Sequence, residues 1–315
     1  MNKKLLAKIN RALENTKANC MAPVTQEALQ KRLTEELDWA DADPDRWACL
    51  KLLTDVTEKV RAAGIVTSPG YGYLTCSFLL YLAGVTRVNP VKWDLPFSRF
   101  LHSFGPENDL VLETGTGGII VAENVLKDRC ELIVETEPGT FQVTFMDGGT
   151  NAPFQLHVLE YSELDRFKRT IKDGWHPLDE ATLRLFGRGS TDGSIWFETD
   201  RMRESLTEFG PESMSDLVLL RAIFCPHRIG LLPELINRKE NPGEIPSTGN
   251  RAADRILRDS YGFLVYQEQA LMLQGIGYPV DAEFKYLALK GHEIARVTLS
   301  VEALWPLRFR SFLIR

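Results

Sequence analysis

The chain has 315 residues, of which 44% are hydrophobic, so it is long enough to bury a sizeable core and to form two domains. A formal net charge of −6 weighs against the concentrated basic surface on which extensive non-specific DNA binding depends. The five cysteines are scattered without a Cys-x-x-Cys pair, a pattern typical of buried thiols and not of zinc sites or disulfide frameworks.

The first residues and the hydropathy predict a cytoplasmic protein. Residues 1–4, Met-Asn-Lys-Lys, lead into no apolar core of the kind a signal peptide has. No apolar run approaches the ~18 residues of a membrane span. We therefore expect no membrane contact, and the sequence leaves the oligomeric state open.

Residues from about 5 to 63 carry signals for helices. Thr25 precedes a good helical run, and Asp43-Pro44 is a second helix start. Apolar residues recur at helical spacing and predict one buried face: Leu50, Leu53, Val56, Val60 and Ile65. We predict a helical N-terminal region over 1–66.

A turn and a small sheet are predicted next. Residues 69–77 hold a glycine-containing turn that enters a helix, the general form of a phosphate cradle, because bare amides can approach an anion. Apolar or alternating stretches then predict an antiparallel meander over 130–134, 140–146 and 153–159. Together with 110–113 these strands form the sheet of an α+β region over 67–162, and a second helical region follows over 163–315.

Residues 261–272 read Tyr-Gly-Phe-Leu-Val-Tyr-Gln-Glu-Gln-Ala-Leu-Met. An apolar, β-prone run passes into Gln267-Glu268-Gln269 and then into helix-forming residues, so we predict an extended segment that meets the start of a helix. Free amides at a helix N-terminus suit an anion. A join packed in the core is the other interpretation of the same pattern.

This stretch resembles the Tyr-Gly-x-x-x-Tyr-Gln-Glu-Gln-x-x-Met block in the fingers of bacterial DNA polymerase III alpha subunits, the C-family polymerases. Further blocks resemble the family in the same order, at 191–198, 201–202, 222–226 and 236–239. The resemblance implies a nucleotidyltransferase-type palm with a small mixed or antiparallel sheet, helical fingers and a role in DNA replication. It assigns six residues to the fingers motif: Tyr261, Gly262, Tyr266, Gln267, Glu268 and Gln269.

Several charged positions that the resemblance implies are altered in this chain. An arginine and a serine that help hold nucleotide phosphates in the family correspond to Tyr71 and Tyr73. Two aspartates that bind magnesium from one strand in the family correspond to Asp109 and Val111. Glu113 follows on the same face because strand side chains alternate.

The other altered positions lie further along the chain. The third aspartate of the family corresponds to His157, and a lysine before it to Gln155. Neutral imidazole does not replace a hard carboxylate for magnesium. Two arginines that grip phosphates correspond to Tyr286 and Leu287.

These changes lead to the hypothesis of a pseudoenzyme that keeps a scaffold for binding DNA or a protein partner, with no metal site and no cofactor. The first alternative is an active, magnesium-dependent nucleotidyltransferase that uses Asp109, Glu113 and Glu160. The second is a methyltransferase, because residues 111–118 followed by Glu135 look like the first motif of S-adenosylmethionine-dependent methyltransferases. That class needs repeated β-α units, whereas residues 130–159 predict hairpins.

Overall fold

The computed structural model describes residues 3–20, 24–104, 110–145, 154–168, 178–281 and 287–313. The chain divides into two compact units, Met1–Lys168 and Arg169–Arg315. The predicted regions 1–66 and 67–162 both lie in the first unit, and the division into three regions stays a prediction.

Three helices open the first unit: α1 Lys3–Ala18, α2 Gln26–Asp41 and α3 Pro44–Ala62. The Thr25 hydroxyl accepts from the backbone N–H of Ala28 at 3.1 Å and caps α2, and the Asp43 side chain caps α3. Both predicted helix starts are therefore confirmed. The predicted face of α3 is buried, although Ile65 lies beyond the end of the helix.

Short elements connect these helices to the sheet: a 3₁₀ turn at Gly72–Cys76, α4 Phe78–Leu82 and α5 Phe97–Ser103. The carboxylate of Glu36, on α2, is completely buried and accepts from the backbone N–H groups of Phe78 and Leu79 at 2.8 and 2.9 Å. Burial raises the pKa of Glu36, and Arg32, 2.6 Å away, opposes that shift. The start of α4 is thereby fixed against α2.

The sheet contains β1 Leu110–Thr114, β2 Cys130–Glu137, β3 Thr140–Phe145 and β4 Phe154–Glu160. The strand order is β1-β4-β3-β2, with β1 parallel to β4 and the other pairs antiparallel. Two helices follow strands of this sheet, α6 Gly118–Arg129 after β1 and α7 Ser162–Lys168 after β4. The predicted meander is confirmed, and the small mixed sheet among helices makes this an α+β fold.

The two faces of the sheet differ in burial. One face packs against α6 through buried apolar residues that include Leu156, Val158 and Phe141. The opposite face, here called the open face, carries half-buried side chains of β1 and β4: Val111, Glu113, Gln155 and His157. Strand alternation places these residues together.

The described part of the second unit contains seven α-helices, with short 3₁₀ turns between some of them: α8 Glu180–Gly187, α9 Asp200–Phe209, α10 Met214–Ile223, α11 Leu232–Glu240, α12 Arg251–Leu257, α13 Gln267–Gly275 and α14 Lys290–Leu313. The helices α10 and α14 pack together, as do α8 and α9. The helical character predicted after residue 163 is confirmed. None of the helices in the described ranges combines the length and the apolarity needed to cross a membrane.

Candidate functional site

Val111 and His157 lie side by side on the open face. The parallel register of β1 and β4 pairs Val111 with His157 and Glu113 with Leu159. Residues that are paired in this way share a face of the sheet. The positions predicted to correspond to the second and third aspartates are therefore direct neighbours on adjacent strands.

His157 takes part in a hydrogen bond within the sheet. Its Nδ1 lies 3.0 Å from the hydroxyl oxygen of Thr140, its antiparallel partner on β3. The next position on this face, Gln155, pairs with Gln142. Asp109, the predicted first aspartate, lies outside the described residues.

The described side chains of the open face do not fit the magnesium site that the resemblance implies. Magnesium takes oxygen ligands in near-octahedral geometry, whereas the apolar Val111 and the imidazole of His157 occupy the paired positions. Glu113 is the carboxylate that β1 and β4 offer on this face, and Glu137, which pairs with Thr140, lies at the end of β2, on the opposite edge of the sheet from β1. Throughout the described ranges, no three His, Cys, Asp or Glu residues come together as a group that could hold a metal ion.

Glu160 faces the other way. It pairs with Thr114, a residue of the buried face, and its Oε1 accepts from the backbone N–H groups of Gly117 and Ile119 at 3.0 and 2.8 Å. This carboxylate caps the first turn of α6. The structure therefore separates Glu160 from Glu113, although the active alternative places them in one site.

The glycine turn before α6 is satisfied within the chain. Every backbone N–H from Gly115 to Ile119 has an acceptor, and the acceptors are the carbonyl groups of Val66 and Gly115 and the side chains of Asp165 and Glu160. A methyltransferase cofactor would have to displace these bonds. Glu135, its predicted ribose ligand, lies on β2, at the edge farthest from β1, and accepts from Gly139 N–H at 3.0 Å.

The predicted phosphate cradle at 69–77 is filled by its own side chains. Gly70 has a φ of +154°, and a Cβ there would lie 2.6 Å from a methyl carbon of Thr75. The ring of Tyr73 packs 6.0 Å from that of Phe100, and Tyr71 is half-buried at the start of the turn. The backbone turn is present, and Tyr71 and Tyr73 bring no positive charge to it.

The segment Tyr261–Gln269 is the second candidate region, and α13 begins in it at Gln267 as predicted. Gln269 is buried, and its Oε1 accepts from the N–H groups of Val265 and Tyr266, both at 3.0 Å. Its Nε2 donates to the hydroxyl of Ser260 at 2.6 Å. One amide side chain thus fixes the backbone on both sides of the turn.

Glu268 and Gln267 attach this segment to the start of α14. The buried Glu268 carboxylate accepts from the N–H groups of Lys290 and Gly291 at 2.8 and 3.0 Å. The N–H of Gln267 donates to the Ala288 carbonyl at 2.9 Å. Of the two interpretations, an anion site and a join packed in the core, the structure supports the packed join, because the polar side chains of Glu268 and Gln269 bond to the protein's own backbone.

Tyr261 and Gly262 form the bend before this segment, with φ of 52° and 82°. The Tyr261 hydroxyl donates to Asp216 at 2.9 Å, and burial, together with that carboxylate, raises the pKa of Tyr261. Arg238 donates to the Tyr261 carbonyl at 3.1 Å and lies 3.8 Å from the centroid of the Phe263 ring. This bend is thus attached to α10 and α11.

Comparison with known proteins gives two family matches, one before and one after the strands of the sheet in the sequence. Residues 5–108 match the family model described as the bacterial DNA polymerase III alpha NTPase domain, and residues 168–279 match that of the bacterial DNA polymerase III alpha subunit finger domain. A DNA polymerase III subunit alpha from Xylella fastidiosa is 28% identical over 201 residues, which is 55% of this chain and 17% of that protein. Those from Chlamydia pneumoniae and Bacillus subtilis are 32% and 34% identical over 100 and 97 residues, covering 31% and 30% of this chain and 8% of each relative.

The chain is a relative of bacterial DNA polymerase III alpha subunits. It spans about a sixth of the length of the Xylella fastidiosa relative and less of the other two. The two matched stretches leave residues 109–167 between them, and that interval holds all four strands of the sheet. The fingers match, by contrast, includes the whole Tyr261–Gln269 segment.

The last two predicted positions of this alpha-subunit relative lie before α14. Leu287 is half-buried, and Tyr286 lies outside the described residues. Sequence reasoning also missed Glu36 and Asp216, which hold elements together through buried carboxylates. A signal for Glu36 was present, because it continues the apolar spacing of Leu29 and Leu33 along the buried face of α2.

Proposed function

We propose that this alpha-subunit relative is inactive as a polymerase and serves as a DNA-binding scaffold, a pseudoenzyme of the C-family with a role in DNA replication in the cytoplasm. The pairing of Val111 with His157 carries the first half of the proposal. A two-metal site needs carboxylates on both strands at this point, and several kcal/mol of transition-state stabilisation depend on the metals. The capping role of Glu160 supports the same conclusion.

A basic stripe on α12 and the first residue of the 3₁₀ turn that follows it supports the DNA-binding half. The exposed residues Arg251, Arg255 and Arg258 follow one another at intervals of four and three residues, which places them on one side of the helical path. Arg258 contacts a carboxylate of its neighbour Asp259 at 4.0 Å. Such a row of exposed guanidinium groups matches the spacing and charge of a phosphate backbone.

The acidic residue of α12 is turned away from this stripe. Asp254 accepts from the backbone N–H and the hydroxyl of Thr248 and from the hydroxyl of Ser247, at 2.7, 2.6 and 2.7 Å. These bonds, led by that of the Thr248 side chain, lower the pKa of Asp254. The Asp254 carboxylate therefore bonds to the preceding turn, and the charges of Arg251 and Arg255 are available to a DNA phosphate.

A DNA titration across a salt series tests the binding half. We expect duplex DNA to bind with a steep dependence on salt, and the triple variant Arg251→Ala/Arg255→Ala/Arg258→Ala to reduce the log–log slope by about 0.9 for each phosphate that is no longer neutralised. Arg184→Ala is the matched control, because Arg184 is exposed in the same unit and paired with Glu180. A slope equal in the triple variant and the control would reject the stripe as the DNA-binding surface.

Magnesium-dependent primer extension tests the catalytic half. We expect no turnover above background for the native chain. Turnover that Asp109→Ala abolishes would instead establish the active alternative, in which Asp109 and Glu113 retain the chemistry. The two parts of the proposal, DNA binding and the loss of polymerase activity, are tested separately, because an active chain could bind DNA through the same arginines.

A further inference from the structure

The two edge strands of the sheet, β1 and β2, differ in their backbone pairing. At the β1 edge, Thr67 forms a bridge with Thr114, and the N–H of Ser68 donates to the Glu113 carbonyl at 3.0 Å. At the other edge, β2 pairs with β3 and with no further strand within the described part of the chain. The outward-facing peptide groups of β2 are therefore available to an added strand.

Two apolar side chains are exposed on this edge strand. Leu132 is 57% and Val134 is 44% exposed, and their pairing with Thr144 and Gln142 places them on the open-face side. The pairing is regular from Leu132 to Glu135 and shifts on either side of that run. Irregularities protect the ends of an edge strand from pairing, so the regular run between them is where a partner strand can align.

The other side of the same run borders an acidic groove. The groove, of about 410 Å³, lies between α6 and β2, with Phe141 and Ile133 among the side chains that line it. Lys127 forms an ion pair with Glu123 at 2.6 Å, which neutralises it. The groove therefore carries net negative charge from its remaining carboxylates, Glu131 and Glu135.

We propose that β2 binds an extended segment of a partner protein in which basic and hydrophobic residues alternate, added to the sheet as a further strand. Successive side chains of such a segment point to opposite faces. Its hydrophobic residues then lie against Leu132 and Val134, while its lysine or arginine stems lie along the half-buried Ile133 and carry their charges to the groove carboxylates. Backbone pairing supplies affinity, and the alternation supplies specificity.

Charge decides which occupant fits this edge. A second copy of the chain paired through β2 would bring glutamates opposite glutamates, which is destabilising. The same carboxylates repel nucleic acid. A cationic segment is attracted instead, and the proposal uses neither α12 nor the paired positions Val111 and His157, so it stands apart from DNA binding and turnover.

Fluorescence anisotropy with a labelled peptide of alternating lysine and valine tests the proposal on the full chain. A peptide of the same composition, with lysines and valines in separate blocks, is the matched probe. We expect saturable binding of the alternating peptide, binding of the block peptide weaker by about tenfold or more, and slower hydrogen exchange of the amides from Leu132 to Glu135. Equal binding of the two peptides, or no saturable binding, overturns the proposal.

Two variants locate the binding site. Glu131→Gln/Glu135→Gln removes charge and leaves an acceptor for the Gly139 N–H, and it should weaken the alternating peptide by about tenfold. The control is Glu204→Gln/Glu208→Gln, which makes the same charge change at exposed positions of α9.

Leu132→Ser/Val134→Ser is the second variant, with an expected weakening of similar size. Circular dichroism checks that each variant folds. If the charge variant binds as its control does, the groove is not the site and the proposal is wrong.

Discussion

The open face of the sheet and the Tyr261–Gln269 segment differ in how far their residues match the family motifs. On the open face the strand register is in place, but an apolar side chain and an imidazole stand at the paired positions Val111 and His157. In the segment the polar side chains of Glu268 and Gln269 match the family motif, and both are buried. The two regions differ in what their side chains bond to.

In the segment the buried side chains of Glu268 and Gln269 both bond to the protein's own groups. Gln269 bonds two backbone N–H groups and a hydroxyl, and Glu268 bonds the first amides of α14. On the open face, carboxylates at both positions 111 and 157 would face each other as like charges across the paired strands. The comparison teaches that the packing of the segment and the chemistry of the open face depend on separate residues, so the fold does not require carboxylates at positions 111 and 157.

Breaking the segment should produce the largest effect. Gln269→Ala leaves the N–H groups of Val265 and Tyr266 without their acceptor in the core, and unsatisfied buried groups each cost about 1–3 kcal/mol. We expect the free energy of unfolding to fall by about 3 kcal/mol in urea titrations. Gln274→Ala, at an exposed position of the same helix, is the control and should change stability by less than about 0.5 kcal/mol. Similar losses in the two variants would contradict the structural role of Gln269.

Introducing carboxylates at positions 111 and 157 tests whether the open face can bind a metal ion. Val111→Asp/His157→Asp places two acids on paired positions, and we expect Mn²⁺ at about 100 times its dissociation constant to raise the free energy of unfolding by about 2.7 kcal/mol. Without the ion, the repelling charges should lower stability. Val111→Asn/His157→Asn is the neutral control. A Mn²⁺ response in the native chain equal to that of the diacid variant would show that the site already exists.

Much of the fold follows from local sequence signals. Thr25 and Asp43 cap the helices they were expected to cap, and the meander lies where turn residues separate apolar runs. These features depend on neighbours within a few residues, so their chemistry is readable from the sequence.

The candidate site was less predictable because its geometry depends on distant pairing. Whether Glu160 faces Glu113 or α6 is decided by the register of β1 with β4, which lie far apart in sequence. The sequence likewise left open whether the polar residues before α13 meet a ligand or the core. Their partners, such as the amide of Lys290, come from elements that only the folded chain brings together.

A pH titration should give an intermediate effect near the segment. Burial, and then the charges of Arg296 and Arg221, lower the pKa of His292 from 6.5 to about 3. As the pH falls below 6.5, the unfolded chain binds a proton that the folded chain does not, so stability is fully present above 6.5 and is lost towards 3. The expected loss is about 2 kcal/mol by about pH 5. Urea titrations at several pH values measure it, and His292→Gln should flatten this part of the profile. An unchanged profile in the variant would assign the pH dependence to other groups.

The smallest effect is expected from Glu113→Gln. Glu113 is half-buried on the open face beside Leu159, and the substitution keeps its size, so stability should change by less than about 0.5 kcal/mol. If this face holds no catalytic metals, magnesium-dependent primer extension should also stay at background in the native chain, in Glu113→Gln and in Asp109→Ala. The variant Val111→Asp/His157→Asp serves as the positive control for this assay. If it binds Mn²⁺, its chain is folded and its open face is accessible to a metal ion. Turnover in the native chain that Glu113→Gln lowers by about a hundredfold would contradict this prediction and show that the open face is catalytic. The further metal ligands would then have to come from residues other than Val111 and His157.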